Sequence, residues 1–385
     1  MLTENQIALI KASVPALQEH GVAITTAMYR RMHALNPEMR QLFNQGHQRA
    51  GRQQMSLAMA VLAYAQNIEN LSVLGDAVKH IASKHVSLNI RPEHYPIVGG
   101  HLLEAIKEVL GDAVNDELLD AWAAAYGQLA DLLIKVEADL YNSAATAKGG
   151  WSGWRGFVIT AKTQETSDIT SFVLEPADGG ELGDVTAGQF VSVRVFLKDD
   201  KLIQPRQYTV NAHDGKSMRI SVRRIDSVNG NPAGMVSNAL HDNYNVGDMV
   251  EVSPPLGEFV LEKGQNPVVT ITAGVGITPA LAMLKSSDMS GRALNFFHVC
   301  RDDAHMPHRA EIDALIAREP GRKLNVFHTA EKGRPGEADI AAQIVDGATY
   351  YVCCPGDMIK FVTDTLVKNG VPQSAVRYER FGTGR

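Results

Sequence analysis

HIASKHVSLNIRPEHYPIV, residues 80–98, is the stretch on which the reading of this chain turns. It holds His80, His85, His94 and Tyr95. Read as a helix, Val78, Ile81, His85 and Leu88 share one face, because residues three and four apart are neighbours on a helix. His85 therefore stands where the pattern calls for an apolar side chain. Two readings fit that position: a core histidine satisfied by a backbone carbonyl, or a ligand to a metal in an apolar pocket. His80 and His94 fall off the stripe and read as surface residues.

Bulk properties narrow the classes. At 385 residues the chain predicts two or three domains of roughly 150 residues each. Its net charge of −6 offers no basic field for nucleic acid and no polybasic run for an anionic membrane. MLTENQIALIKASVPAL reads as an amphipathic helix, not a signal peptide. No apolar run reaches the roughly 20 residues that span a bilayer. Of the three cysteines, Cys353 and Cys354 are adjacent and Cys300 stands alone, which makes neither a disulfide framework nor a metal cluster. A cytoplasmic monomer with small-molecule partners is expected.

Working outward, residues 1–141 read as six to eight short helices, with apolar residues at helical spacing such as Ile7, Ile10, Val14 and Leu17, or Leu118, Trp122, Leu129 and Leu132. NSAATAKGGWSGWRG, residues 142–156, is small, polar and glycine-bearing, and suits a linker. Beyond it, FVITAKTQET, SFVLEP, GQFVSVRVFL, RQYTV and MRISVRRI have the texture of an antiparallel barrel. From about residue 266, strand and helix alternate, which predicts a parallel α/β sheet. The expected boundaries are 1–146 for the helical domain, 147–151 for the linker, 152–262 for the barrel and 263–385 for the α/β domain.

Three sites carry chemistry. AGVGITP, residues 273–279, follows an apolar strand and opens a helix, so Gly274, Val275, Gly276, Ile277, Thr278 and Pro279 can bring backbone N–H groups close to a phosphate. It is shorter than the full G-x-G-x-x-G fingerprint. In the barrel section, RQYT, residues 206–209, is read as the end of a strand, and GMVSN, residues 234–238, as the opening of a helical turn. Arg206 offers a forked cation, Tyr208 an aromatic face and Thr209 a hydroxyl. The amides of Gly234, Met235, Val236, Ser237 and Asn238 can hold a second phosphate.

Barrel, Arg-x-Tyr-Thr, Gly-x-x-Ser and Gly-x-Gly-x-Thr-Pro, in that order, resemble the ferredoxin–NADP reductase family. The resemblance implies FAD on the barrel, contacted also by Gln189 and Gln207, and a nicotinamide dinucleotide on the α/β domain. It extends to Cys353 and Pro355 and to YERFG, residues 378–382, where Glu379 would lie near the nicotinamide and Phe381 and Gly382 near the flavin. One position departs: Cys354 stands where that family has a glycine, which predicts a tighter pocket or a shifted loop. Arg301, at the end of the second α/β strand, is placed to meet a 2′-phosphate, so NADH and NADPH both remain open.

An electron supplier downstream asks for an acceptor upstream, and a helical section without a cysteine cluster favours haem with His85 as axial ligand. Phe43 would wedge against the porphyrin. Tyr29, on a face with Val22 and Met32, and Gln53, on one with Leu57 and Tyr64, put polar groups among apolar neighbours, where they can donate hydrogen bonds to a bound gas. Glu137 shares a face with Tyr126, Leu133 and Leu140, a costly place for an unpartnered carboxylate. Placed on the far nitrogen of an iron-bound imidazole it would raise ligand basicity, with Tyr95 as a second partner.

Together Tyr29, Phe43, Gln53, His85, Tyr95 and Glu137, followed in order by the reductase motifs, resemble the flavohaemoglobin family from Met1 to Gly382. The resemblance implies a multidomain chain: an all-α globin domain binding haem b, an antiparallel β-barrel FAD domain and an α/β parallel-sheet NAD(P)-binding domain. It also implies an oxygen-binding nitric oxide dioxygenase, in which electrons pass from NAD(P)H through FAD to haem and nitric oxide becomes nitrate. Two other readings use the same parts: a haem–flavin reductase of alkyl hydroperoxide or oxygen, and a reductase attached to a haem gas sensor or docking bundle.

Overall fold

The computed structural model describes residues 2–228 and 232–381. Gly382, expected beside the flavin, lies outside the described residues. The chain forms two compact units, Met1–Trp154 with Arg194–Arg206, and Arg155–Val193 with Gln207–Arg385.

The helical section holds α1 (Glu4–Ala12), α2 (Val14–Leu35), α3 (Gln45–Arg49), α4 (Arg52–Gln66), α5 (Gly75–Ser87), α6 (His94–Leu110) and α7 (Asp116–Thr146). Local chemistry sets several ends. Thr3 and Gln6 form a reciprocal capping box at α1. Asn115 Oδ1 accepts the Leu118 N–H at the start of α7, where Asp116 and Glu117 also suit the helix dipole. α7 runs on to Thr146 and so takes up the first residues of the glycine-bearing stretch.

α5 ends in a Schellman motif. Asn89 is left-handed at φ 59°, its N–H donates to Val86 O, and the Ile90 N–H donates to His85 O at 2.9 Å. Tyr141 Oη donates to Ile90 O at 2.6 Å and pins the loop to α7. Gly99 on α6 has a steric reason: a Cβ there would lie 2.4 Å from the Tyr126 ring. Tyr126 Oη donates to Tyr95 O at 2.8 Å, which fixes the first turn of α6 against α7.

Two expected faces shift slightly. On α5 the buried stripe is Val78, Ala82 and Val86, while Ile81, His85 and Leu88 are half-buried. On α2, Tyr29 and Met32 are buried but Val22 is exposed, because the packed face runs through Gly21, Ile24, Thr25 and Met28.

β1 (Arg155–Gln164), β2 (Ile169–Pro176), β3 (Phe190–Leu197), β4 (Leu202–His213), β5 (Met218–Arg223) and, after α8 (Met235–Asn243), β6 (Met249–Val252) close a barrel in the order β1-β2-β5-β4-β3-β6. RQYT does not end a strand, as expected from sequence; it sits in the middle of β4, which continues to His213. The hairpin partner β5 extends the ladder, with Val210 opposite Ile220 and His213 opposite Met218.

The α/β section follows as β7 (Val268–Ala273), α9 (Ile277–Lys285), β8 (Leu294–Cys300), α10 (Arg309–Ile316), β9 (Arg322–His328), α11 (Thr329–Lys332), α12 (Glu337–Ala341), β10 (Thr349–Cys353), α13 (Gly356–Lys368) and β11 (Val376–Glu379). Its five strands pair in parallel in the order β11-β10-β7-β8-β9. Strands buried on both faces read as apolar runs, as VVTITA and LNFFHVC do. No described helix is long and apolar enough to cross a membrane.

Candidate functional site

α5, α6 and α7 bring His85, Tyr95 and Glu137 together. His85 Nδ1 lies 2.7 Å from Glu137 Oε1, and Tyr95 Oη donates to the same oxygen at 2.5 Å. Nδ1 is also 3.1 Å from Tyr95 Oη. Glu137 is 2% exposed, so it is neither a surface acid nor unpartnered. Burial, then the hydrogen bond to Glu137, raises the Tyr95 hydroxyl well above its ordinary range, so it keeps its proton. With Nδ1–H donating to a carboxylate, the imidazole carries its proton on that nitrogen and has Nε2 available as a ligand. Among the described residues no cluster of three or more histidine, cysteine or acidic side chains is arranged to hold a bare metal ion.

Tyr29 belongs to a different apolar cluster, with Met28, Met32, Phe43 and Leu57. Its ring meets Phe43 edge-on at 5.5 Å. Burial pushes its hydroxyl far above the usual range, partly offset by Gln53 beside it. Gln53 Oε1 is buried without a hydrogen-bond partner, a costly state for an amide in a finished protein core. A proton-bearing phenol that can donate, a glutamine beside it, and an imidazole aligned by a carboxylate are the side chains that a haem with a small ligand calls for; these residues fit that group.

His47 was not singled out by the sequence. Burial holds its imidazole down at about 4, helped by the charges of Arg206, Arg52 and Lys84. His47 is therefore a neutral imidazole within the field of three cations. The sequence signal was present only as scattered basic residues. His94 also departs from expectation: it is half-buried, and its Nδ1 accepts the Arg91 N–H at 3.0 Å.

On β4, strand alternation puts Arg206 and Tyr208 on one face and Gln207 and Thr209 on the other, Thr209 buried. Gln207 Nε2 reaches Ser192 Oγ at 3.4 Å. Gln189 is occupied elsewhere: its Oε1 accepts the Thr186 N–H at 2.9 Å within its own turn. At α8 the Gly234 N–H donates to Ile225 O, which leaves the amides of Met235, Val236 and Ser237 as the first-turn donors. The other end of α8 is clamped by Lys162, whose Nζ donates to the carbonyls of Leu240, His241 and Tyr244.

The turn Gly274–Gly276 links β7 to α9. Gly274 is left-handed at φ 53°, and a Cβ on Gly276 would lie 2.2 Å from Cys353 O. Register aligns His298, Thr272, Cys353 and Glu379 in one row across four strands. Cys354 neither tightens this face nor crowds the turn. Its side chain packs into the core on the opposite side of the sheet and its thiol donates to Ile271 O at 3.3 Å. Phe381 packs against the core that holds Cys353 and Ile277. Arg301 lies 3.1 Å from His305 Nε2, which in turn shares Asp302.

Known proteins agree with this division. Residues 26–133 match the globin family, 156–261 the oxidoreductase FAD-binding domain and 270–364 the oxidoreductase NAD-binding domain. The flavohemoprotein of Bordetella pertussis is 47% identical, covering 100% of this chain and 99% of that protein. That of Chromobacterium violaceum is 46% identical with the same coverage. The crystal structure of flavohemoglobin from Malassezia yamatoensis with bound FAD and heme superposes with a TM-score of 0.89 at 28% identity, covering 99% of this chain and 100% of that one. The FAD/NAD-binding domain of nitric oxide dioxygenase from Vibrio cholerae matches 60% of this chain and 99% of its own length at 33% identity and a TM-score of 0.53. With a globin section, a barrel and an α/β section in that order, and this identity over its whole length, the chain belongs to the flavohemoprotein family.

Proposed function

We propose that the protein is an NAD(P)H-dependent nitric oxide dioxygenase that detoxifies nitric oxide to nitrate. The observation that carries this reading is the His85–Glu137–Tyr95 cluster in a globin section fused to FAD- and NAD-binding oxidoreductase domains. Haem b, when bound, supplies the iron at which oxygen and nitric oxide react. His85 would hold that iron through Nε2. Glu137 keeps the proton on Nδ1 and strengthens electron donation by the ring. Tyr95 orders the carboxylate. Tyr29 retains its proton and offers it as a hydrogen bond, with Gln53 beside it, while Phe43 and Leu57 supply the apolar wall.

Electrons enter from the other domains. Arg206 and Tyr208 on one face of β4, with the α8 amides, would hold FAD, Thr209 lying buried on the other face, and Gly274–Gly276 with Cys353, Pro355 and Glu379 would hold the nicotinamide dinucleotide. The similarity to a protein named nitric oxide dioxygenase supports the assignment. Three buried thiols fit a cytoplasmic protein, which we take to act as a monomer.

The test is to reduce the haem- and FAD-loaded protein with NADH or NADPH in air, add nitric oxide and follow its loss together with nitrate. Stoichiometric conversion supports the dioxygenase. Slow nitric oxide loss alongside fast turnover of an alkyl hydroperoxide would replace it with the peroxide-reductase reading, which the Glu137 hydrogen bond also favours. A haem that neither nucleotide reduces would favour a sensor.

A further inference from the structure

A second polar assembly, buried at Asn211, Ser171, Ser221 and His308 and partly exposed at Arg219, Glu311 and Lys285, joins barrel strands to the α/β section, and none of its members has a part in the chemistry above. On β5, Arg219 and Ser221 face the same way. Arg219 Nε donates to Asn211 Oδ1 at 2.6 Å, and its terminal nitrogen donates to Glu311 Oε2 at 2.7 Å. Glu311 also takes Lys285 Nζ at 2.5 Å. Ser221 Oγ lies 2.7 Å from Asn211 Nδ2, 2.9 Å from Ser171 Oγ and 2.9 Å from His308 Nε2. His308 Nδ1 is 3.3 Å from Glu165 and 3.6 Å from Glu311.

The side chain of His308 is 1% exposed. Its backbone is left-handed at φ 60°, a strained state for a residue other than glycine that persists only where the surroundings fix it. Burial keeps the ring neutral, at about 4, against the pull of Glu165 and Glu311 and with Arg219 and Lys285 nearby. A neutral ring donates from one nitrogen and accepts at the other, so Nδ1–H faces Glu165 and Nε2 accepts from the Ser221 hydroxyl.

The members sit at mechanically informative places. Asn211 lies two residues beyond Thr209 on the strand that holds Arg206 and Tyr208. Lys285 is the last residue of α9, which begins directly after the Gly274–Gly276 turn. One unbroken run of bonds thus connects the helix of the dinucleotide turn, through Glu311 and Arg219, to the flavin strand. Half-buried ion pairs of this kind contribute little net stability, and a use of such polar links is to specify one geometry among several.

We propose that His308, with the Arg219–Glu311 pair, is a positioning brace that sets nicotinamide against flavin for hydride transfer. The inference rests on the reading that NAD(P)H reduces FAD here. In that step a hydride, one proton with two electrons, leaves the dihydronicotinamide, which is oxidised, and arrives at the flavin, which is reduced. The brace touches neither partner and acts through the backbone elements that hold them.

The test is anaerobic stopped-flow reduction of the FAD in the holoprotein by NADH and by NADH deuterated at the transferred position. His308→Gly removes the ring and relieves the left-handed strain; His308→Asn tolerates the same backbone and keeps an amide near Ser221. For His308→Gly we expect flavin reduction slowed about tenfold or more, since a misplacement of the order of an ångström suffices. The deuterium isotope effect should rise, NADH affinity and flavin content should stay close to wild type, and His308→Asn should recover part of the rate. A fully flavinated His308→Gly protein with the wild-type rate and isotope effect overturns the brace, as does a rate loss that only follows lost flavin. Should His308→Gly fail to fold, Glu311→Gln, which keeps the shape and removes the charge, is judged by the same criteria. If neither NADH nor NADPH reduces the wild-type flavin, the hydride reading itself fails and the brace falls with it.

Discussion

Glu137 Oε1 accepts from two donors at once, the Nδ1–H of His85 at 2.7 Å and the hydroxyl of Tyr95 at 2.5 Å. Replacing it by glutamine keeps the shape but removes the charge that makes both bonds strong. Glu137→Gln should cost about 1.5–3 kcal/mol of apoprotein stability, the range for a hydrogen bond to a charged group. In the haem-loaded protein the iron–imidazole stretching frequency should fall, because the ring loses anionic character. Urea unfolding and resonance Raman spectroscopy check the two effects, and an unshifted stretch would detach Glu137 from the iron ligand.

Tyr29→Phe deletes one hydroxyl without opening the core. If that hydroxyl holds a gas ligand, oxygen should leave about fivefold faster, the equivalent of about 1 kcal/mol for one hydrogen bond. Laser-flash measurement of the off-rate decides it; the same rate in both proteins removes Tyr29 from the ligand site.

Gly276→Ala puts a methyl group 2.2 Å from Cys353 O, a contact with backbone that cannot swing aside. The turn must shift, and NADH binding should weaken by about tenfold, or roughly 1.4 kcal/mol. FAD content and haem content should be unchanged, since neither group uses this turn. Titration of NADH into the FAD-loaded variant measures it, and wild-type affinity would exclude the turn from the dinucleotide site.

Three histidines predict the acid limb of stability. Burial holds His47 and His308 at about 4 and His298 at about 3, against an ordinary value of 6.5. The unfolded chain takes up protons below about 6.5 while the folded chain does not, so stability falls as pH drops from there towards 4. Each residue contributes up to about 1.4 kcal/mol per pH unit. Comparing urea midpoints at several pH values, His298→Gln should show a shallower fall than wild type; an identical slope would mean that His298 is already charged when folded.

What the sequence revealed, and what it hid, follows from the range of the interactions. The glycine-rich turn after VVTITA and the start of α8 at GMVSN depend on spacing within a few residues, and each stands where the spacing put it, whereas His85 sits half-buried beside the buried stripe of Val78, Ala82 and Val86 rather than on it. The length of β4 was misread because the signal to continue comes from its partner β5, not from RQYT itself. Val22 falls one helical position from the packed face through Gly21, while His94 is drawn in at the start of α6 by accepting the Arg91 N–H. His47 and His308 were invisible for a different reason. Their meaning lies in Arg206 and Ser221, side chains remote along the chain, and no local pattern records such a partnership.

Cys353 and Cys354 are neighbours in sequence but enter opposite cores of the α/β sheet. They therefore cannot join to each other without breaking the strand end. Burial raises all three thiols, Cys300 to about 11 and Cys354 to about 12, so almost no thiolate exists at neutral pH. A protein proposed to work amid nitric oxide and oxygen thus presents little cysteine thiolate to either gas.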